Sequence, residues 1–424
     1  MESLKKRAAG LLRRSERLFK LDVIYLVKGG LWTSLRFGTS ILASFATMIA
    51  FGNFLPKETY GIYSYLISLA SSVGFLTLSG IGPGIVRAIA TGEERVMQYA
   101  MRLQLSYNFM AVIAIMIAAF YYGVKGNFIF AVSLAFLALA LPLSEAFHAY
   151  EHVLIGKKRF DTLAIIASLS TIGSAFATVT TLLITDNVVI LISVFSTMSL
   201  GPNIIAYYLV KKRLPKGAPA PEAKQELKRT AFHITGAGII GTVANYLDKI
   251  ILFQVAGPAP LAVYGFAVAG PERLKGLIKN WMSIILPRLA ERDAKEIHAM
   301  FYKRLGLSML MGGALALSYI LLSPYLFRWF LPKYLDSILY SQVYALGLIV
   351  IPVLVYIGNI FYSQNMLRAI YTSSTGIQIL RIVLLLILGW RWQAWGLVAA
   401  WLITQVLSVI YCIYIWEKEY EKVR

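Results

Sequence analysis

The sequence predicts an all-α integral membrane protein, and three observations lead to that prediction. Of its 424 residues, 58% are hydrophobic and 15% are charged, with a mean hydropathy of +0.67. Soluble domains carry about 25% charged residues, so this composition indicates a chain that lies in lipid. Apolar runs near ~20 residues, the length that a helix needs to cross a bilayer, recur along the chain. Such runs are too long for barrel strands, which span in ~10 alternating residues.

The first two apolar runs form a predicted transmembrane hairpin. They occupy 30–54 and 62–81, flank a polar turn at 55–61, and contain one charged residue, Arg36. We predict about twelve spans in all, at about 30–54, 60–81, 100–122, 127–148, 161–184, 187–210, 230–255, 261–287, 305–328, 337–362, 369–390 and 394–416.

Positive charge is distributed unevenly between the two sides of these spans. Of the 41 Lys and Arg residues, 30 fall on one side, 5 on the other and 6 within spans. Since cytoplasmic loops carry an excess of positive charge, we predict a multi-pass protein of the cell membrane with both termini in the cytoplasm. The same asymmetry explains the net charge of +20, so we expect no nucleic-acid partner.

The polar stretches divide the chain into two halves. Segment 211–229 is rich in Pro, Ala and Lys and is typical of a linker, and the basic and apolar residues of 1–28 predict an amphipathic helix on the membrane surface. The predicted parts are an amphipathic segment (1–28), a six-helix lobe (29–210), a cytoplasmic linker (211–229), a second six-helix lobe (230–416) and a cytoplasmic tail (417–424).

An internal repeat supports two lobes around a central cavity. At an offset of 204 residues, Pro56, Tyr60 and Gly61 correspond to Pro260, Tyr264 and Gly265, and each trio follows an apolar run. Repeated halves of this kind place a substrate site at their interface near the middle of the bilayer.

Five short segments resemble the polysaccharide transporter family, the Wzx-type lipid-linked oligosaccharide flippases of the multidrug/oligosaccharidyl-lipid/polysaccharide superfamily. These segments are 54–64 (FLPKETYGIYS), 80–87 (GIGPGIVR), 154–160 (LIGKKRF), 246–248 (YLD) and 263–267 (VYGFA). One departure is Asn53, which stands where many members carry a basic residue. The resemblance implies alternating access and a lipid-linked sugar diphosphate as substrate, with membrane lipids, a polysaccharide polymerase and glycosyltransferases as partners.

Charged residues inside the predicted spans are the candidate site, because a charge at mid-bilayer costs at least ~2.5 kcal/mol unless it has a partner, water or a function. Glu272, Lys275 and Lys279 recur at helical spacing and share one face of the eighth span. We predict Lys275 and Lys279 as phosphate anchors. The predicted supporting cations are Arg273, Arg381, Arg36 and Lys249.

Each of these interpretations has a structural alternative. A break at Gly270–Pro271 would leave the charges of the eighth span in a loop, and Arg36 could extend to the cytoplasmic surface. Asp248 and Glu272 are candidates for ion coupling or for structural ion pairs, and we favour an ion pair for Asp248.

Three other functions fit the sequence less well. A cation-coupled multidrug exporter of the same superfamily is the alternative, but six basic residues against two acidic ones within spans favour an anionic substrate. A membrane enzyme is not expected, because the outer loops are short. The segment 148–152 matches H-x-x-E-H, a zinc-peptidase pattern, but no third ligand is evident, so we expect no metal and no cofactor.

Overall fold

The computed structural model describes residues 23–215, 217–282, 285, 289, 291–364 and 366–421. Within these residues the regular structure is entirely helical, which confirms the predicted all-α class. Most of the N-terminal segment predicted to be amphipathic, residues 1–22, lies outside the described residues.

Long helices follow one another with short connections. In chain order the α-helices are α1 (Val23–Phe54), α2 (Lys57–Ser72), α3 (Ile81–Ala90), α4 (Val96–Val124), α5 (Phe128–Phe147), α6 (Ala149–Gly156), α7 (Phe160–Ile184), α8 (Val188–Lys211), α9 (Pro221–Ala256), α10 (Pro258–Met282), α11 (Ala294–Phe330), α12 (Ser337–Ala345), α13 (Ile351–Ser363) and α14 (Leu367–Glu421). Single 3₁₀ turns occupy Val73–Leu76, Pro332–Tyr334 and Leu346–Ile349.

Most of these helices are long and apolar enough to cross a membrane. In the described part of the chain nine helical segments meet that criterion, and the number is ten if α2 and α3, bent by 57°, form one span. Helix α10 is not among these segments, and it carries Glu272, Arg273, Lys275 and Lys279. The total of twelve spans and their division into two lobes stay predictions.

Two predicted boundaries need correction. Helix α9 begins at Pro221, inside the predicted linker 211–229, because proline is well placed in a first helical turn. The second predicted span bends after a 3₁₀ turn at Val73–Leu76. The predicted separation of the last two spans, between 390 and 394, is confirmed, since two helices meet at a break at Gln393, where φ is +50°.

Helix α10 is continuous through its internal proline. Pro271 lies inside the helix, between Pro258 and Met282. Proline removes one backbone hydrogen bond and usually kinks a helix, but here the helix continues past it. Gly270, the residue before it, allows the Tyr319 side chain to pack closely. The break considered at Gly270–Pro271 is therefore not present, and the four charged residues of α10 belong to one helix.

Helices α2 and α10 pack together through the repeated glycines. A side chain at Gly61 would clash with the backbone of Pro258, and Gly265 lies against the Tyr60 ring. The Tyr60 and Phe266 rings are 4.6 Å apart at the same contact. Both glycines of the internal repeat thus lie in the contact between α2 and α10, where small residues let helices of membrane proteins approach closely.

Polar contacts join α1 and α2 to the segment after α11, at the end predicted to face outward. Lys57 Nζ lies 2.9 Å from Asp336 Oδ2, and Lys333 Nζ donates to the Asn53 carbonyl oxygen at 2.6 Å. The Asn53 side chain donates to the Phe330 carbonyl oxygen at 2.7 Å. Asn53 therefore fastens the first helix to the end of α11.

Candidate functional site

A cavity of about 500 Å³ lies between α1, α2, α7, α8 and α10. This volume is within the range of ligand pockets, about 300–1,000 Å³. Hydroxyl and amide side chains contribute much of its wall. They are Ser44, Thr47, Tyr60, Tyr63, Ser170, Thr171, Ser174, Thr178, Ser199 and Asn203.

The hydroxyl groups come from one face of each helix. On α7 the residues Ser170, Ser174 and Thr178 are four apart and Thr171 is beside the first, which is the spacing of a helix face. Sequence reasoning centred on charge missed these residues. The periodicity of Ser and Thr in an apolar helix was the signal that could have found them.

Arg273 is the one charged side chain among the cavity-lining residues that the structure describes. It enters from α10 one turn after Ala269, and it is exposed. Within the described residues it makes no ion pair and no hydrogen bond, whereas Tyr60 and Tyr63 from α2 line the same cavity. The cavity therefore offers an unpaired guanidinium group surrounded by neutral hydroxyl groups.

Glu272 and Lys275, which lie close to Arg273 in sequence, do not line this cavity. Lys275 Nζ is 2.6 Å from Glu272 Oε2, and the Tyr344 hydroxyl donates to Glu272 Oε1 at 2.6 Å. Lys275 also lies over the Trp401 ring, 4.5 Å from its centroid. The predicted phosphate anchor Lys275 is thus bound by groups of the protein itself, from α10, α12 and α14.

Arg381 belongs to the same cluster as Lys275. Its guanidinium lies 5.7 Å from the centroid of the Trp401 ring, and its Nη1 donates to Asn245 Oδ1 at 3.0 Å. Trp401 stacks on Tyr344 with 4.9 Å between centroids. We call Glu272, Lys275, Tyr344, Arg381 and Trp401 the polar cluster. In it two cations lie over the ring of one tryptophan.

Asp248 is buried and hydrogen-bonded. The Tyr264 hydroxyl donates to Asp248 Oδ2 at 2.9 Å, and the Lys249 backbone N–H donates to Asp248 Oδ1 at 2.8 Å. In the portion of the chain that the structure describes, neither Asp248 nor the Lys249 ammonium group forms an ion pair. A neutral phenol thus satisfies this carboxylate, and the ion pair expected for Asp248 is not present among the described residues.

Arg36 is paired with Glu151 of helix α6. Arg36 Nη1 lies 2.9 Å from Glu151 Oε1, and His148 Nε2 lies 2.9 Å from Glu151 Oε2. The H-x-x-E-H segment therefore binds an arginine and does not present two free histidines. No group of three or more His, Cys, Asp or Glu among the described residues is arranged to hold a metal ion.

Lys279 shares a helix face with Lys275, as predicted, and it is exposed. It is not among the cavity-lining residues. The structure therefore separates five of the predicted site residues into three groups. Arg273 lies in the cavity, Glu272, Lys275 and Arg381 lie in the polar cluster, and Arg36 lies beside Glu151.

Solved transporter structures share this fold along nearly the whole chain. "Lipid II flippase MurJ, inward closed conformation" has a TM-score of 0.69 at 12% identity over 93% of this chain and 89% of that one. An inward-facing MATE multidrug transporter gives 0.60 at 14% identity, covering 92% and 98%. A transporter from Pyrococcus furiosus gives 0.57 at 13% identity, covering 93% and 95%. The chain therefore has the fold of these transporters.

The family follows from the sequence itself. Residues 26–278, more than half of the chain, match the family described as "Polysaccharide biosynthesis protein". The chain belongs to this family, which confirms the resemblance noted above, and it is a multi-pass membrane protein. None of the curated proteins compared with the chain matches it.

Proposed function

We propose that the chain is a flippase that carries a lipid-linked oligosaccharide, attached to a polyprenyl diphosphate, across the cytoplasmic membrane for polysaccharide biosynthesis. The observation that carries this proposal is the unpaired Arg273 in a hydroxyl-lined cavity of about 500 Å³. An uncompensated cation within a membrane protein is costly and marks a functional site. A diphosphate supplies the missing anion.

The neutral part of the wall suits the sugar. Serine and threonine hydroxyl groups both donate and accept hydrogen bonds, and sugar hydroxyl groups present both kinds of partner. We propose that Arg273 binds the diphosphate and that the α7 hydroxyl groups, from Ser170 to Thr178, contact the sugar. The lipid tail stays between spans in the bilayer while the two halves of the protein alternate around the site.

Lys275, Lys279 and Arg381 are proposed as secondary contacts of the substrate. Lys275 is held by Glu272 and Trp401, so its ammonium group becomes available only after that ion pair opens. Arg381 is likewise bound to Asn245. We therefore propose Arg273 as the first anchor, ahead of the residues predicted from helix spacing alone. Arg36 is proposed to act in protein structure, since it is paired with Glu151.

The second candidate function is a cation-coupled multidrug exporter, as in the MATE structures of the same fold. Such a protein needs acidic or neutral groups to receive a cationic drug. Across the described lining of the cavity there is no carboxylate, and its charged group is an arginine. That charge opposes a cationic substrate, so the cavity favours the flippase.

The test is export of surface polysaccharide in cells whose own gene is deleted. Arg273→Gln is expected to reduce export at least about tenfold, Arg273→Lys to retain part of it, and Arg391→Gln, an exposed arginine outside the cavity, to export normally. Membrane levels of each variant are measured in parallel. Export by Arg273→Gln at the control level would overturn the assignment.

Reconstituted protein distinguishes the two candidate functions. Vesicles containing a polyprenyl-diphosphate sugar are expected to lose the leaflet asymmetry of that lipid when the protein is present. Efflux of a cationic dye such as ethidium is expected to be absent. The opposite pattern would favour the exporter. On the flippase proposal, glycosyltransferases supply the substrate in the cytoplasm and a polymerase uses it outside.

A further inference from the structure

A second cavity, of about 290 Å³, lies between the ends of α10, α11 and α13. Its polar wall consists of Arg292 before α11, Arg304 and Ser308 on α11, and Tyr356 on α13. It lies at the end of these helices that the charge distribution assigns to the cytoplasm. None of its lining residues lines the cavity that contains Arg273.

The two arginines of this second cavity lack an anion. Over the described residues neither Arg292 nor Arg304 forms an ion pair, and both instead approach Met300 Sδ, at 3.7 and 3.9 Å. A thioether sulfur is a weak acceptor. Glu417, a nearby carboxylate on α14, is already bound by His298 and Tyr302. Two cations therefore line one small cavity without compensation.

Tyr356 adds a polar group that is almost fully buried. The residue is 2% exposed, and its O–H group has no hydrogen-bond acceptor among the described residues. That hydroxyl faces the charges of both Arg304 and Arg292. A buried unpaired hydroxyl costs about 1–3 kcal/mol, and an acceptor bound in the cavity would remove that cost.

Two hydrogen bonds tie described parts of the backbone beside the cavity to other elements. Gln364 Nε2 donates to the Arg292 carbonyl oxygen at 3.2 Å. Asn359 Nδ2, on the same helix as Tyr356, donates to the Met282 carbonyl oxygen at 2.9 Å. These two side chains connect the backbone of Arg292, just before α11, and the end of α10 to α13 and the residue that follows it. The remaining donors are left to face the cavity.

We propose that this cavity is a phosphate-binding site, in which Arg292, Arg304 and the Tyr356 hydroxyl bind the phosphate group of a lipid headgroup or of a soluble phosphate compound. Guanidinium groups donate paired hydrogen bonds to phosphate oxygens, and the hydroxyl supplies a further donor. The site is separate from the Arg273 cavity and does not depend on the identity of the transported substrate. Binding there would stabilise the contact between α10, α11 and α13.

The test measures phosphate binding in the purified full-length protein. Native mass spectrometry counts bound phosphatidylglycerol and phosphatidylcholine after extraction from vesicles of equal composition, and titration calorimetry measures inorganic diphosphate. The variants are Arg292→Gln/Arg304→Gln, Tyr356→Phe, and a charge-matched control, Lys295→Gln/Lys303→Gln, which changes two exposed residues outside the cavity. Arg273→Gln is added because it leaves this cavity intact.

Loss of bound phosphatidylglycerol from the double arginine variant, with retention in the control and in Arg273→Gln, supports a lipid headgroup. Weakening of diphosphate binding by about tenfold in the same variant, without a lipid difference, supports a soluble phosphate. Tyr356→Phe is expected to weaken the same ligand about fivefold. Equal binding of both probes by wild type, control and double variant would overturn the site, whatever the transport assays show.

Discussion

The two faces of α10 carry their charges in different surroundings. Arg273 points into a hydroxyl-lined cavity and has no anionic partner in the described chain. Lys275, half a turn further on, is bound by Glu272 and lies over Trp401. Because one helix supplies both groups two residues apart, the two charges lie at a similar height along that helix. The difference between them lies in what packs against each face.

This comparison teaches how charge in a membrane helix divides between structure and function. A paired charge has its desolvation offset within the protein, so its presence requires no ligand. An unpaired charge that faces a cavity has that offset only from water or from a bound anion. The Lys275 face is therefore expected to contribute to stability, and the Arg273 face to binding.

The largest expected effect on stability comes from breaking the ion pair between Glu272 and Lys275. Glu272→Gln leaves Lys275 without its anion and should lower the free energy of unfolding by about 2 kcal/mol, less than for a fully buried pair because both groups are partly exposed. Arg273→Gln should change it by no more than about 0.5 kcal/mol. Thermal unfolding in one detergent measures both. A larger loss in Arg273→Gln would reverse the assignment of the two faces.

Replacing both partners sharpens the same comparison. Glu272→Gln/Lys275→Met removes the pair and leaves no unpaired charge, so it should regain most of the stability that Glu272→Gln loses. A double variant as unstable as Glu272→Gln would show that the loss comes from the hydrogen bond of Tyr344 to Glu272. The lysine ammonium group would then contribute little.

The rate at which a thiol reagent modifies an introduced cysteine measures how accessible each face of α10 is to water. The single cysteine, Cys412, is buried, so Cys412→Ala provides a background without an accessible thiol. In that background Arg273→Cys is expected to react with a small water-soluble thiol reagent about tenfold faster than Lys275→Cys, whose position lies in the packed cluster. Equal rates, measured by mass shift, would mean that the cavity is no more hydrated than the cluster.

A hydroxyl deletion on each face gives a smaller contrast. Tyr344→Phe removes a hydrogen bond to Glu272 and should lower the free energy of unfolding by about 1 kcal/mol. Tyr60→Phe is the matched variant, because the Tyr60 hydroxyl lines the cavity and makes no hydrogen bond within the described residues. It should leave stability unchanged. If the two variants lose equal stability, the cavity face also carries structural hydrogen bonds.

Helix spacing alone predicted much of α10, and tertiary packing decided the rest. The i, i+3 relation of Glu272 and Lys275 correctly placed them together, and they form an ion pair. Spacing also showed that Arg273 lies on another face. It could not show which face meets a cavity, because that depends on α1, α7 and α8 on one side and on α12 and α14 on the other. The predicted anchors therefore came from the better-paired face.

The all-helical class was easier to predict than the helix boundaries. Apolar length fixes which segments enter lipid, because the backbone must satisfy its own hydrogen bonds there. The start of α9 at Pro221 and the bend between α2 and α3 depend on helix caps and local packing. Neither leaves a hydrophobic signal in the sequence.

The smallest expected effect comes from an ion pair outside both faces. Lys57 and Asp336 are 2.9 Å apart, but the Asp336 side chain is 74% exposed, so water already solvates it. Asp336→Asn should change the free energy of unfolding by less than about 0.5 kcal/mol, and the change should shrink further in high salt. The same thermal assay used for Glu272→Gln measures it. If Asp336→Asn costs as much as Glu272→Gln, burial is not what separates structural charges from surface ones in this protein, and the contrast between the faces of α10 loses its physical basis.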